Sequence, residues 1–233
     1  MLAKIQHWPS AQAKQWARSE IPRLCAAQTT CAIVFFGSVV RGVNSPTDLD
    51  ILYIYDQRAF DYQKPPIDVD LRKFESREVE PGLDAGNDLL GWCVRYGELA
   101  CERGQYWSDI VAAWKGRLAL PAASEALERA QKSERLLREM SSLGDDDAAL
   151  ELYLGMLTQL ARAHLIQRGV YPASRPELPK QLRSVGETTI AKYLQDALQL
   201  RNAVMHGSAF ADKKIWRRFL ELRNTEVAKT KAS

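Results

Sequence analysis

Apolar positions change their spacing along the chain, and the changes mark out its organisation. Behind Pro9-Ser10, the residues Ala11, Trp16, Ile21, Leu24 and Cys25 recur at helical intervals, which predicts a helix over 10–27. Residues 31–36, "CAIVFF", are β-branched and aromatic, the composition of a short buried strand. A second strand is predicted at 49–55, "LDILYIY". There Ile51, Tyr53 and Tyr55 share one face, and Asp50, Leu52 and Ile54 the other. Pro65-Pro66 break the chain before "IDVDLRKF", whose alternation of apolar and acidic positions predicts a half-buried strand. Residues 85–118 read as helical, with Leu89, Leu90, Cys93 and Tyr96 on one side.

Pro121 is a joint, and beyond it strand signals cease. Residues 147–168 carry a broad stripe of Leu150, Tyr153, Leu154, Leu157, Leu160, Ala161, His164 and Leu165, the pattern of a bundle helix. On that stripe His164 reads as a satisfied core histidine. A proline-rich loop, "GVYPASRPELP", precedes another helix from about 188 to 206, which Gly207 would cap. The basic C-terminal stretch reads as a solvated helix with Trp216, Phe219 and Leu220 turned inward. The expectation is a small α/β domain over 1–118 followed by an all-helical domain over 119–233.

Composition narrows this little. The 233 residues are 46% hydrophobic and 26% charged, ordinary for a globular protein, and the net charge of +3 does not argue for nucleic acid. Apolar runs such as "CAIVFFG" are too short to span a bilayer, so no membrane association is expected. The N-terminal stretch lacks the apolar core of a signal peptide, which reads as an unprocessed, cytoplasmic chain. Cys25, Cys31, Cys93 and Cys101 form no Cys-x-x-Cys and have few histidines to join them, which argues against structural zinc. They are expected to be reduced and mostly buried.

Candidate chemistry lies between the first two strands, in "FFGSVVRGVNSPTDLD". Asp48 and Asp50, two residues apart, point to one face and repel each other unless a cation lies between them. Hard divalent cations such as Mg²⁺ take carboxylate and phosphate oxygens together. Asp68 and Asp70 on the following strand bring further carboxylates. Two acids would hold metal, and a third would complete the site and act as general base on a hydroxyl. Gly37 lets the backbone approach a ligand closely. Ser38, at the start of a short helix, offers its hydroxyl and free N–H groups to a phosphate. Arg41 would brace this corner or neutralise charge. The reaction such a site suits is in-line attack on the α-phosphorus of a nucleoside triphosphate, with pyrophosphate leaving.

Gly37, Ser38, Arg41, Gly42, Thr47, Asp48 and Asp50, with the apolar strand behind them, resemble the signature of the DNA polymerase β-type nucleotidyltransferases. The resemblance is tight over about 30–75 and looser to about 118. It implies an α+β fold with a mixed β-sheet and flanking helices, Mg²⁺ dependence with two ions, and nucleotidyl transfer. Gly37, Ser38, Arg41 and Thr47 would bind the nucleotide, and Asp48 and Asp50 the metal. The third carboxylate is Asp68 or Asp70, with Asp68 preferred. ATP is the expected donor, so the transfer would be adenylylation of a hydroxyl on a small molecule, protein or RNA. Were the acceptor a cationic antibiotic, Glu98, Glu102 and Asp109 are candidate lining residues.

A second constellation is "LQLRNAVMHG". Arg201 falls on the stripe of Tyr193, Leu194, Ala197 and Leu198, where a charge is costly unless it is paired or meets a partner chain. Arg201, Asn202 and His206 resemble the Arg-x4-His motif of HEPN domains, helical bundles that accompany minimal nucleotidyltransferases. That resemblance implies a homodimer and, as the alternative function, a metal-independent ribonuclease using Arg201 and His206 and regulated by the first domain. The whole arrangement is also similar to aminoglycoside (kanamycin) nucleotidyltransferases, whose helical domain builds the acceptor pocket. A further alternative is a toxin–antitoxin-type interaction protein that binds nucleotide without turnover.

Overall fold

A computed structural model describes residues 5–42 and 46–205. The chain divides into two compact units, Met1–Leu120 and Pro121–Ser233.

The first unit is α+β. Its elements run α1 (Ala11–Ala26), β1 (Thr30–Phe36), α2 (Gly37–Val40), β2 (Leu49–Tyr55), β3 (Val69–Glu75), α3 (Ser76–Asp84), α4 (Asp88–Tyr96), β4 (Glu98–Glu102) and α5 (Tyr106–Trp114). The sheet order is β3-β2-β1-β4. β1 pairs antiparallel with β2 and β4, whereas β2 and β3 are parallel, so the sheet is mixed. Ser10 starts α1 by accepting from the N–H of Ala13 at 3.0 Å, the expected role of a serine N-cap. Strand alternation then sorts the two cores. Ile33, Phe35, Ile51 and Tyr53 pack with Trp16, Ile21 and Leu24 of α1. Ala32, Val34, Leu52 and Ile54 pack with Val79, Leu90, Cys93 and Trp107 of α3, α4 and α5. The second face is the one Asp50 shares.

Two expectations are corrected here. Residues 85–118 are not continuously helical, because β4 interrupts them. Gly97 ends α4 where a Cβ would lie 2.7 Å from Val34 Cγ1 and 2.4 Å from the Cys93 carbonyl oxygen, so only a glycine lets the chain pass β1 and join the sheet. Glu102 then caps α5, accepting from the N–H groups of Trp107 and Ser108 at 2.9 Å each. Nor are all cysteines reduced. Cys25 at the end of α1 and Cys101 in β4 form a disulfide, while Cys31 and Cys93 are buried thiols.

The second unit is helical, with α6 (Ala123–Leu143), α7 (Asp146–Gln167), α8 (Leu178–Ser184) and α9 (Thr188–Met205). Gly144, with φ +74°, turns the chain between α6 and α7, and Asp145 caps α7 through the N–H of Ala148 at 3.0 Å. The core gathers Leu137, Leu150, Tyr153, Leu157, Leu165, Leu182 and Leu194. The expected stripe of α7 is therefore its buried face. His164 departs from expectation. It is half-buried at the end of α7, with Nδ1 3.7 Å from Glu187 Oε1, and lies beside an acid and not within the core. His206, Gly207 and the basic C-terminal stretch lie outside the described residues. Among the described residues, no helix is long and apolar enough to cross a membrane.

Candidate active site

The end of β1 and the start of β2 face each other across the ladder, with Phe36 opposite Asp50. Gly37 follows Phe36 in the left-handed region, at φ +74°. A Cβ built there would lie 1.8 Å from Asp50 Oδ2. The backbone thus passes over the carboxylate at a distance that any side chain would occupy, and both its conformation and its surroundings require glycine. Ser38, in the one-turn helix α2, has its Oγ withdrawn from solvent and without a hydrogen-bond partner among the described residues. Such a hydroxyl is costly to leave unsatisfied.

β3 completes the acidic group. Its parallel register places Asp70 opposite Asp50 and Val69 opposite Leu49. Strand alternation puts Asp50, Leu52 and Ile54 on one face, and Asp70, Arg72 and Phe74 beside them on the next strand. Asp50 is half-buried and its pKa is pushed from 3.8 up to about 7. Burial is the main cause, the negative charges of Asp48 and Asp70 add to it, and Arg72 opposes it. Burial and, to a lesser degree, the Asp50 charge push the Cys93 thiol up as well. Asp48 precedes β2, and its Oδ1 accepts from the Thr47 hydroxyl at 3.2 Å.

Of the third-acid candidates, Asp68 lies in the turn before β3, where its carbonyl accepts from the Leu49 N–H at 2.8 Å. Asp70 sits inside the strand at the level of Asp50. Arg41 closes α2 and places its guanidinium carbon 4.9 Å from the centre of the Tyr96 ring. Gly42 follows with φ +68°. The structure therefore brings together Gly37, Ser38, Asp48, Asp50 and Asp70, with Arg41 held against α4. Sequence reasoning missed Arg72 and Tyr96. Arg72 was legible in principle, two residues beyond Asp70 on the same strand face. Tyr96 reaches the corner only through the packing of α4 on the sheet.

Among the described residues, no three acidic, histidine or cysteine side chains are gathered closely enough to hold a metal ion. Asp70 Oδ2 is held by Arg72, through Nε at 2.9 Å and Nη2 at 2.8 Å. The donor set nonetheless fits a hard cation bound partly through a ligand. Asp48 and Asp50 are all-oxygen donors, and Mg²⁺ completes its shell with phosphate oxygens and water more readily than with a full protein cage.

Other candidate residues fall elsewhere. Glu98 and Glu102 are the two ends of β4, and the carboxylate of Glu102 is engaged in capping α5. In the second unit Arg201 Nε donates to Glu151 Oε1 of α7 at 2.6 Å. The charge expected to be costly on an apolar stripe is thereby paired within its own unit. Asn202 is exposed, and His206 lies outside the described residues.

No protein-family model matches the chain, and no curated protein matches it. Among solved structures, the chain is similar to a nucleotidyltransferase-like protein from Exiguobacterium sibiricum 255-15, with 17% identity and a TM-score of 0.37 over 90% of this chain and 71% of that one. Similarity that distant carries no functional argument, which rests instead on the residues of the site.

Proposed function

We propose that the first unit carries the catalytic site of a Mg²⁺-dependent nucleotidyltransferase that moves AMP from ATP to a hydroxyl group. The observation that most supports this is the setting of Asp50, half-buried between the charges of Asp48 and Asp70 and crossed at close range by the Gly37 backbone. Like charges gathered in a poorly solvated place are a cost that a bound cation would offset. The Ser38 hydroxyl, without a hydrogen-bond partner among the described residues, is a donor that a phosphate oxygen suits.

In this reading Asp48 and Asp50 hold the metal. Asp70 is the third carboxylate in preference to Asp68, because it lies at the level of Asp50 inside the ladder. Ser38 and the Gly37 backbone hold the non-transferred phosphates, and Arg41, kept in place by Tyr96, balances their charge. Asp48 and Asp50 would hold Mg²⁺, which would supply positive charge to offset the negative charge developing on the phosphate. Asp70 takes the proton of the acceptor hydroxyl as that oxygen bonds to the α-phosphorus. The bond to the bridging oxygen breaks, and pyrophosphate leaves from the corner.

The test is incubation of the full chain with each α-³²P nucleotide, Mg²⁺, cell lysate and a panel of aminoglycosides, with separation of labelled products. Label on a protein, RNA or drug is expected, and Asp48→Asn or Asp50→Asn should abolish it. Undiminished labelling by either variant would refute the assignment.

A further inference from the structure

Arg72 has no place in the mechanism above, yet it makes the most specific contact in the site. Its Nε and Nη2 converge on one oxygen, Asp70 Oδ2, at 2.9 and 2.8 Å. Arg72 and Asp70 are i and i+2 neighbours on β3, so the strand itself holds the two side chains on one face. The charge of Arg72 reaches Asp50 as well. Among the described residues no three-donor set is gathered, and the one Asp70 oxygen that Arg72 holds is occupied by two N–H donors. The arginine side chain is 57% exposed, so the grip on Asp70 is its main restraint among the described residues and solvent reaches the pair.

We propose that Arg72 is a latch on Asp70. It stands in for the cation while the site is empty, and it transfers to a phosphate oxygen when a metal–nucleotide complex enters, which frees Asp70 for the metal and for the acceptor proton. The incoming ligand that opens the latch is a polyphosphate, because the planar guanidinium fork that grips a carboxylate grips phosphate oxygens equally well. It follows that divalent ions bind weakly alone and well together with nucleotide. This inference rests on the nucleotidyltransferase reading of the site.

The experiment measures Mn²⁺ binding to the full chain by electron paramagnetic resonance, first alone and then with a non-hydrolysable ATP analogue. It compares wild type, Arg72→Lys, Arg72→Ala and Asp70→Asn. Lysine keeps the charge but offers one ammonium in place of a two-pronged grip. The latch predicts that Arg72→Lys and Arg72→Ala both tighten Mn²⁺ binding without nucleotide, by about two- to five-fold, the range set by a half-exposed ion pair. Both should weaken the analogue. In an Asp70→Asn background Arg72→Lys should leave Mn²⁺ affinity unchanged, and Arg72→Ala should alter it only through the loss of the charge that reaches Asp50. If Arg72→Lys binds Mn²⁺ as wild type does, only net charge matters and the latch is wrong. It is equally wrong if Arg72→Ala leaves Mn²⁺ affinity unchanged or lowered. Failure of the underlying reading looks different, because wild type would then bind no Mn²⁺ even with the analogue.

Discussion

Replacing Asp50 with asparagine should destroy nucleotidyl transfer and, at the same time, stabilise the metal-free protein in a pH-dependent way. The folded pKa of Asp50 is about 7, against 3.8 for an ordinary aspartate. Below pH 3.8 the carboxyl is protonated in both states and costs nothing. Between 3.8 and about 7 the unfolded chain gives up the proton while the folded one keeps it, so stability falls as pH rises. Above 7 the cost is complete and constant. The interval from 3.8 to about 7 corresponds, at about 1.4 kcal/mol per pH unit, to an upper bound of about 4 kcal/mol. Asp50 is only half-buried and an asparagine amide also has to be desolvated, so roughly 1–3 kcal/mol is the working expectation. For a unit of this size each kcal/mol moves the melting temperature by roughly 3–6 °C. Calorimetry in chelator at pH 4.5 and pH 8 should show Asp50→Asn melting several degrees above wild type at pH 8 and close to it at pH 4.5. A variant that melts at or below wild type at pH 8, or with the same offset at both pH values, would refute the electrostatic account of the site.

Three further outcomes are expected. Gly37→Ala places a Cβ 1.8 Å from Asp50 Oδ2 on a backbone at φ +74°; the conformation costs about 1–2 kcal/mol, and displacing the carboxylate by more than about 1 Å should lower kcat/KM by about 10²-fold, so wild-type labelling kinetics would count against the close approach. Reducing Cys25–Cys101, which closes a separation of 76 residues, should destabilise the first unit by up to about 4 kcal/mol, read as a lower melting temperature in phosphine than without it; identical melting curves would mean that the bond constrains nothing. Glu151→Ala leaves Arg201, whose side chain is 22% exposed, without its carboxylate and should cost about 1–2 kcal/mol in urea unfolding, whereas Glu151→Met with Arg201→Met should cost less than that single change.

What the sequence made legible were the features encoded locally. The strands at Thr30–Phe36 and Leu49–Tyr55 announce themselves by unbroken β-branched and aromatic composition, and α1, α7 and α9 by helical spacing. The strand β4 was not legible. Its five residues, "ELACE", are two acids, a leucine, an alanine and a cysteine, and they become a strand only because Gly97 lets them lie against β1. The Cys25–Cys101 bond and the Arg201–Glu151 pair join residues 76 and 50 positions apart, and no spacing rule reaches that far. His164 shows the opposite failure: its place on an apolar stripe was read correctly, but the stripe ends at the helix terminus, where an acid waits.

The site divides along the same line. Gly-Ser and Asp-x-Asp are local patterns, and Gly37, Ser38, Asp48 and Asp50 converge as their order in the chain implies. The choice between Asp68 and Asp70 is a question of register. Alternation assigns both to one face, and local sequence has nothing more to say. Register follows from the parallel pairing of β2 with β3, which sets Asp70 opposite Asp50 and leaves Asp68 in the turn, tied by its carbonyl to Leu49. One slip of two residues along β3 would bring Asp68 level with Asp50 and move Arg72 out of reach of Asp50. The arginine that opposes the rise of the Asp50 pKa and the aspartate proposed as general base are thus fixed by a single structural choice. Asp68→Asn and Asp70→Asn should for that reason behave differently in two independent assays. Asp70→Asn removes a charge acting on Asp50 and should lower the pH at which Asp50 ionises, as well as abolishing transfer. Asp68→Asn, whose structural tie is made by its backbone, should leave both near wild type. Loss of transfer in Asp68→Asn with retention in Asp70→Asn would reverse the assignment.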